Sequence, residues 1–434
     1  MSVRGAAFLG IGAMVGAGIF ALLGEAGAVA GSAVWLSFLL AGIVAALLGY
    51  NVVKLGVKYP SSGGLFTYLI EGFGTGRLVG IAGWLGYFAA IVIVCSMVAV
   101  SFGSYATSLF VGDDAWSGWD NIFTTLILVA MAGVSIVGSK VVDRAQSLIV
   151  FTLLVVFAVF IAVTVVEIDW DLLAFSTYPS FAEIISSVAL TFFAYLGFSV
   201  ITFTVGDLRN PTRELPLAMY GALGVTTLLY IFISLGVFGT LTVEEVVGYG
   251  ETAIAEAARP SLGEAGFVMM AVAALLATAS SVNATLYASK GLTSMLAEAG
   301  QFPTFFGPAS RLGPHAGILI TAGIVLVVAN VVDLSAIASV GSACSLMIFF
   351  LVGASGFRLR SETGARASII LVALAGTAVV LVFFAIDTLR NAPQTFAAIL
   401  AIALLAVVLD IVWKRARGTP DDAAEAPASP STAG

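Results

Sequence analysis

Gly10-Ile11-Gly12-Ala13-Met14-Val15-Gly16-Ala17-Gly18-Ile19-Phe20 decides how this chain is read. The stretch lies in an apolar segment long enough to cross a bilayer, yet it is loaded with glycine. A plain membrane anchor fills such positions with Leu, Ile or Val. Glycine lets a helix unwind and bares its backbone, which inside a membrane is tolerated only where it lines a protein-walled cavity. The stretch therefore predicts a broken transmembrane helix, and broken helices are where transporters bind substrate.

Composition sets the surroundings of that helix. The chain has 434 residues, 60% hydrophobic and 10% charged, with a mean hydropathy of +1.09. A soluble domain carries roughly 25% charged residues. Apolar blocks recur near the ~20 residues that span a bilayer, and about twelve spans follow by hydropathy. They lie near 6–24, 33–53, 78–110, 121–139, 147–166, 184–206, 217–241, 265–290, 316–332, 336–356, 367–386 and 395–413. A β-barrel would show short alternating segments instead. A signal peptide is a weaker reading of the first segment, because its apolar run is rich in glycine rather than leucine.

Orientation follows from the basic residues. With the N-terminus inside, only Arg259 and Arg390 of the 18 Lys and Arg residues fall outside. Such a bias places both termini in the cytoplasm. The outer loops carry Asp113, Asp114, Asp120, Glu167, Asp169, Asp171, Glu183, Glu244, Glu245, Glu251, Glu256 and Glu264, so the net charge of −7 belongs mainly to the external face. That is the pattern of a solvated acidic surface. Cys95 and Cys344 fall in spans and read as packing residues. The single histidine, His315, gives no metal spacing.

A second irregular stretch, Thr191-Phe192-Phe193-Ala194-Tyr195-Leu196-Gly197-Phe198-Ser199, sits in the sixth span. If spans one to five and six to ten are repeats, spans one and six occupy matching places. Five is odd, so the halves have inverted topology, and paired interrupted helices point to a transporter site.

The chemistry of the two breaks is complementary. A helix broken at Val15, Gly16, Ala17 and Gly18 frees amide N–H groups at the positive end of a half-helix, which suits a carboxylate. Close helix packing is the competing reading of Gly12 and Gly16. An unwound backbone at Phe193, Ala194, Tyr195, Leu196 and Gly197 offers carbonyls to an ammonium, with Phe193 or Tyr195 as an outer gate. Packing of an aromatic face competes here. Ser280 and Ser281, with Thr278 and Asn283, interrupt the eighth span; facing the first broken helix they form a candidate cation site, and interhelical hydrogen bonding is the competing reading. Asp410 and Lys290 lie near inner span ends, where they can snorkel. With no buried charge to meet a charged side chain, a neutral amino acid is the expected ligand.

These residues resemble the amino acid–polyamine–organocation (APC) superfamily of permeases over nearly the whole chain to Arg417. The resemblance is carried by Gly12-Ala-Met-Val-Gly16-Ala-Gly-Ile-Phe20, then Pro60-Ser-Ser-Gly-Gly-Leu-Phe-Thr-Tyr68 with Phe73-Gly74. Phe193-Ala-Tyr-Leu-Gly-Phe198 with Asn210-Pro-Thr-Arg-Glu-Leu-Pro216 follows, then Asn283-Ala-Thr-Leu-Tyr287 with Ala299-Gly300-Gln-Phe-Pro303. The resemblance implies an all-α membrane protein with a five-plus-five inverted repeat, helices one and six broken, and alternating access. It implies carboxylate contacts around Gly16, Ala17 and Gly18, and amine contacts at Phe193, Ala194 and Leu196. Two positions depart from relatives. Asp207 stands near a common Glu, and Leu153 holds a place where some relatives carry a lysine midway along helix five.

The expectation is thus a permease domain over 1–417, with repeats at about 6–166 and 184–356, two extra helices at about 367–413, and a disordered cytoplasmic tail at 418–434. The candidate substrate set is Ala13, Val15, Gly16, Ala17 and Gly18 with Phe193, Ala194, Tyr195, Leu196 and Gly197. No catalytic residue, metal site, cofactor or nucleic-acid partner is expected, and H+ or Na+ is the candidate coupling ion. The partners are a small amino acid and the lipid bilayer of the plasma membrane, with a homo-oligomer left open. The rival functions are an amino-acid sensor that does not transport and a permease for cationic amino acids or polyamines. A membrane enzyme lacks a nucleophile–base pair within the spans.

Overall fold

The computed structural model describes residues 2–61, 64–112, 116, 118–137, 140–307, 310–311 and 313–417; for Ala17, 140–146, Phe203 and Arg417 it describes the backbone alone. Asp113, Asp114 and the expected tail at 418–434 lie outside the described residues, as do Ser62 and Gly63 of the motif after the second span. Every regular element among the described residues is helical.

The chain opens with α1 (Val3–Ala17) and α2 (Ile19–Ala30), separated by Gly18 alone. A 3-10 turn at Gly31–Ala33 leads into α3 (Val34–Lys58), and the short α4 (Leu65–Phe73) follows. The third span is one rod of α5 (Arg77–Tyr87), a π-helical turn (Phe88–Ile93) and α6 (Val94–Phe110). Next come α7 (Gly118–Val137) and α8 (Lys140–Thr164). The sixth span is α9 (Phe181–Phe193) continued by a 3-10 helix at Leu196–Asp207. Then come α10 (Pro211–Phe238), the outer α11 (Val243–Tyr249) and α12 (Ala253–Glu256), and α13 (Arg259–Glu298), bent at Gly263 where φ is +61°. The remainder is α14 (Ala316–Val331), α15 (Leu334–Arg358), the short α16 (Arg360–Thr363), α17 (Ala367–Asn391) and α18 (Pro393–Arg417).

Eleven segments are long and apolar enough to cross a membrane, against the expected count of about twelve. The break at Gly18 explains the difference. It leaves α1 as a shorter apolar helix, while α2 runs through the 3-10 turn into α3 as one stretch, Ile19–Lys58.

Local sequence sets the helix starts. Ser180 and Glu183 form a capping box at the start of α9, and Thr242 and Glu245 form another at α11. These satisfy the amides a helix start leaves open. Pro211 opens α10, and the Glu214 carboxylate accepts from the N–H groups of Arg209 and Asn210 at 3.0 and 3.2 Å.

α1 occupies the centre of the bundle, against α8, α10, α13 and the 3-10 half of the sixth span. Met14, Ile19 and Phe20 are buried there, whereas α7, α17 and α18 turn side chains such as Val129, Val372 and Leu404 outward. Lipid is as apolar as leucine, so burial alone gives helices no reason to associate; close backbone approach and interhelical hydrogen bonds do. Asn51 shows both: its amide donates to the Val352 carbonyl at 2.9 Å, and its side chain fills the space beside Gly356.

Asp410 does not snorkel. It is fully buried, paired with Lys414 at 2.9 Å, and its carboxylate lies against the Cα of Gly80 in α5. Gln301 joins this polar knot and donates to the Thr75 carbonyl at 3.0 Å. The reason is steric: glycine at position 80 lets α18 approach α5 closely enough to shut lipid and water away from the pair. Cys95 and Cys344 are free thiols buried among apolar neighbours, as expected.

Candidate functional site

The site is built where the two interrupted spans meet. α1 ends at Ala17, Gly18 takes φ −103° and ψ −77°, and α2 starts at Ile19 with the Leu22 N–H bonded to the Gly18 carbonyl at 3.0 Å. The N–H groups of Ile19, Phe20 and Ala21 thus belong to the first turn of a helix, which has no intrahelical partner for them. They sit at its positive end.

The second break has a different form. α9 stops at Phe193, and its last turn tightens, with the Ala194 and Tyr195 amides bonding to the Thr191 and Phe192 carbonyls at 3.1 and 2.9 Å. A 3-10 helix of 12 residues then continues the span. Runs of 3-10 helix beyond three or four residues are uncommon and mark strained or hinged places. The sequence predicted an interruption at 193–197 but not that the whole inner half is wound more tightly.

Gly18 and Ala194 are in contact. A Cβ built on Gly18 would stand 2.7 Å from the Cβ of Ala194 and 2.6 Å from the Tyr230 hydroxyl. On the inner side Gly197 lies against the backbone of Ala13 and Met14, so the 3-10 helix follows α1 downward. Gly16 meets α13: a Cβ there would be 2.9 Å from the Ala277 carbonyl and 3.1 Å from the Ser281 Cβ. The structure therefore brings Gly16, Gly18, Ala194, Gly197, Ala13 and Ser281 together. Val15 is buried on α1; Leu196 and Ser280 are partly buried. Gly16 serves the close packing weighed as its competing role.

The aromatic pair divides. Tyr195 turns away from the break and donates to the Phe38 carbonyl of α3 at 2.9 Å. Phe193 turns toward the third and tenth spans, where a Cβ on Gly341 would lie 2.6 Å from its ring and from Ile93. Of the two proposed gates, Phe193 is the one on the side of the π-helical turn, a distortion often found at functional sites. Thr278 returns its hydroxyl to the Ala274 carbonyl at 2.6 Å, and Asn283 accepts from Ser135 of α7 at 2.9 Å. Both therefore have structural roles. Leu153 is buried in α8.

Sequence reasoning missed Tyr230. Its hydroxyl donates to the Ala194 carbonyl at 3.2 Å, and its ring packs on Phe38 and Tyr195 at 5.1 and 5.2 Å between centroids. It is fully buried in α10 and bridges the two breaks. A tyrosine inside an otherwise aliphatic stretch, Leu228-Leu229-Tyr230-Ile231, was the available signal. A buried phenol is placed where its O–H finds a partner.

The arrangement presents amides from one break beside carbonyls from the other, at one depth and away from ionisable side chains. Residues 1–409 match a family profile described as amino acid permease. The chain is 30% identical to the inner membrane transport protein YbaT of Escherichia coli over 407 residues, 94% of each chain. It is 28% identical to the serine/threonine exchanger SteT of Bacillus subtilis over 68% of this chain and 67% of that one. It is 27% identical to a methylthioribose transporter of the same organism, over 82% of this chain and 79% of that one.

Proposed function

The chain belongs to the amino acid permease family of membrane transporters, and on that premise we propose that it carries neutral amino acids across the plasma membrane by alternating access. The observation that carries this reading is the contact between Gly18 and Ala194. Two spans interrupted at one depth place amide donors and carbonyl acceptors side by side, which is what a zwitterion needs. The carboxylate goes to the first-turn amides at Ile19, Phe20 and Ala21. The ammonium goes to the Ala194 carbonyl, which has a second lone pair beside the one used by Tyr230.

The side wall supports a neutral ligand. Phe193, Ile93 and Gly341 are apolar and face one another. The name of SteT, an exchanger of serine and threonine, points the same way, whereas the methylthioribose transporter marks the uncharged non-amino-acid alternative. Ser280 and Ser281, on the face of α13 that meets Gly16, are the proposed contacts for a coupling Na+, with H+ the other candidate. Residues 6–166 and 184–356 are the proposed inverted repeats. The distribution of Lys and Arg supports cytoplasmic termini.

Purified protein in proteoliposomes tests the reading. Labelled amino acids, polyamines and methylthioribose are offered with Na+ or proton gradients imposed one at a time. Neutral amino acids should accumulate. Binding without flux would make the protein a sensor, and flux confined to polyamines or methylthioribose would overturn the substrate class.

A further inference from the structure

Two carboxyl groups at the outer end of the bundle have no cation to neutralise them. Gly24 of α2 touches the loop between α11 and α12, with a Cβ on it only 2.7 Å from the Gly250 carbonyl. The next residues in each chain segment are Glu25 and Glu251, which the contact draws together. Glu25 is hydrogen-bonded to Ser335 at the start of α15, a neutral partner. Arg259, the nearest outer cation in sequence, is engaged by Glu256 and Glu264 and stacks on Phe267 at 4.0 Å. Among the described residues no ion pair reaches Glu25 or Glu251.

The other charged groups around the pair do not relieve it. Asp120 of α7 adds a further negative charge. On α11, Glu245 is held in the capping box with Thr242, Glu244 is exposed, and Tyr249 is neutral. Burial pushes the Glu251 carboxyl above the usual carboxylate range, opposed by its own backbone N–H, and Glu25 and Asp120 push it further the same way. A second observation comes from α6. Tyr105 is fully buried beside Phe20, its hydroxyl has no hydrogen-bond partner, and Glu251 and Glu256 are its electrostatic neighbours. An unused donor thus faces this carboxyl pair.

We propose that Glu25 and Glu251 bind one proton between them, and that this shared proton holds the outer loop closed over α2. Adjacent carboxylates in a partly dry site cannot both ionise cheaply, so the pair takes a proton from the external medium when the loop closes. Among the described residues no group of three His, Cys, Asp or Glu side chains is arranged for a metal ion, which leaves the proton as the ligand. Losing it restores the repulsion and opens the loop. The proposal rests on the transporter reading for its meaning, since the loop covers the outward path to Gly18.

Thiol accessibility tests this without substrate. Cys95 and Cys344 are replaced by alanine, and Ala253→Cys, fully buried under the loop, is labelled with a membrane-impermeant thiol reagent. Labelling is normalised to Val247→Cys, which is 46% exposed, to remove the pH dependence of thiol reactivity. The ratio should rise from about pH 5 to about pH 8, about tenfold for each unit by which closure raises proton affinity. Glu25→Gln and Glu251→Gln should each abolish the rise and stay closed. Glu264→Gln, whose carboxylate pairs with Arg259, should keep it. A flat parent profile, or a rise that survives both Gln variants with the protein monodisperse, overturns the proposal. So does suppression of labelling at high pH by lysine or spermidine in the parent alone, which would make the pair an organic-cation site. Because no transport is read, failed uptake with pH-gated labelling intact would count against the proposed function and not against the proton site.

Discussion

The Tyr230 hydroxyl donates to the Ala194 carbonyl while lying directly over the Cα of Gly18. One phenol from α10 thus spans both interruptions and closes the space between them. Tyr230→Phe keeps the ring contacts with Phe38 and Tyr195 and removes only the bridge. Interhelical hydrogen bonds in membranes contribute about 1 kcal/mol. A small drop in melting temperature in detergent is expected, with a several-fold change in amino acid affinity by direct binding. Unchanged affinity would make the bridge structural only.

Gly18, Gly16 and Gly376 should rank in that order when replaced by alanine. At Gly18 the new methyl meets Tyr230, Ala194 and the Met14 carbonyl, all within 2.7 Å. At Gly16 it meets the Ala277 carbonyl at 2.9 Å and Ser281 at 3.1 Å, so a small shift suffices. At Gly376 in α17 nothing lies within 4 Å. Uptake in proteoliposomes should be lost in Gly18→Ala, reduced in Gly16→Ala and retained in Gly376→Ala. Full activity of Gly18→Ala would remove the break from the transport path.

How much of this was legible beforehand differs by residue. Gly16 and Gly18 were visible because glycine in an apolar run has few explanations, and Phe193–Gly197 because aromatics and small residues break an aliphatic pattern. The family match confirms the class of fold those motifs implied. Tyr230 was not visible, because its role depends on α10 passing between two breaks far away in sequence. The π-helical turn at Phe88–Ile93 has no composition signal at all. Asp410 was read as snorkelling because its neighbours in sequence are near a span end; only the packing of α18 on Gly80 shuts the interface away from it.

Gly197 separates packing from chemistry. It lies against the backbone of Ala13 and Met14, so any Cβ pushes the 3-10 helix off α1. Gly206, in the same 3-10 helix, has nothing within 4 Å. Overpacking of this kind costs about 1–3 kcal/mol. Gly197→Ala should lower the melting temperature clearly, while Gly206→Ala leaves it unchanged. Equal stability of the two variants would mean the close contact between the spans is absent in the membrane.

Asp410 and Lys414 give a test by double-mutant cycle. The carboxylate is fully buried and the ammonium 22% exposed, at 2.9 Å. Removing one partner of a buried pair costs about 3–5 kcal/mol, because the other charge stays without compensation. Lys414→Met should therefore destabilise strongly, and Asp410→Asn less, since Lys414 can turn toward the inner interface. The double variant should recover most of the loss, giving a coupling energy well above the ~0.5 kcal/mol scatter of independent sites. Thermal denaturation in detergent at constant lipid content measures all four corners. Additive losses would show that α18 is held to α5 by its apolar contacts and by the Trp413 bond to the Gly300 carbonyl at 3.1 Å, with no share carried by the ion pair.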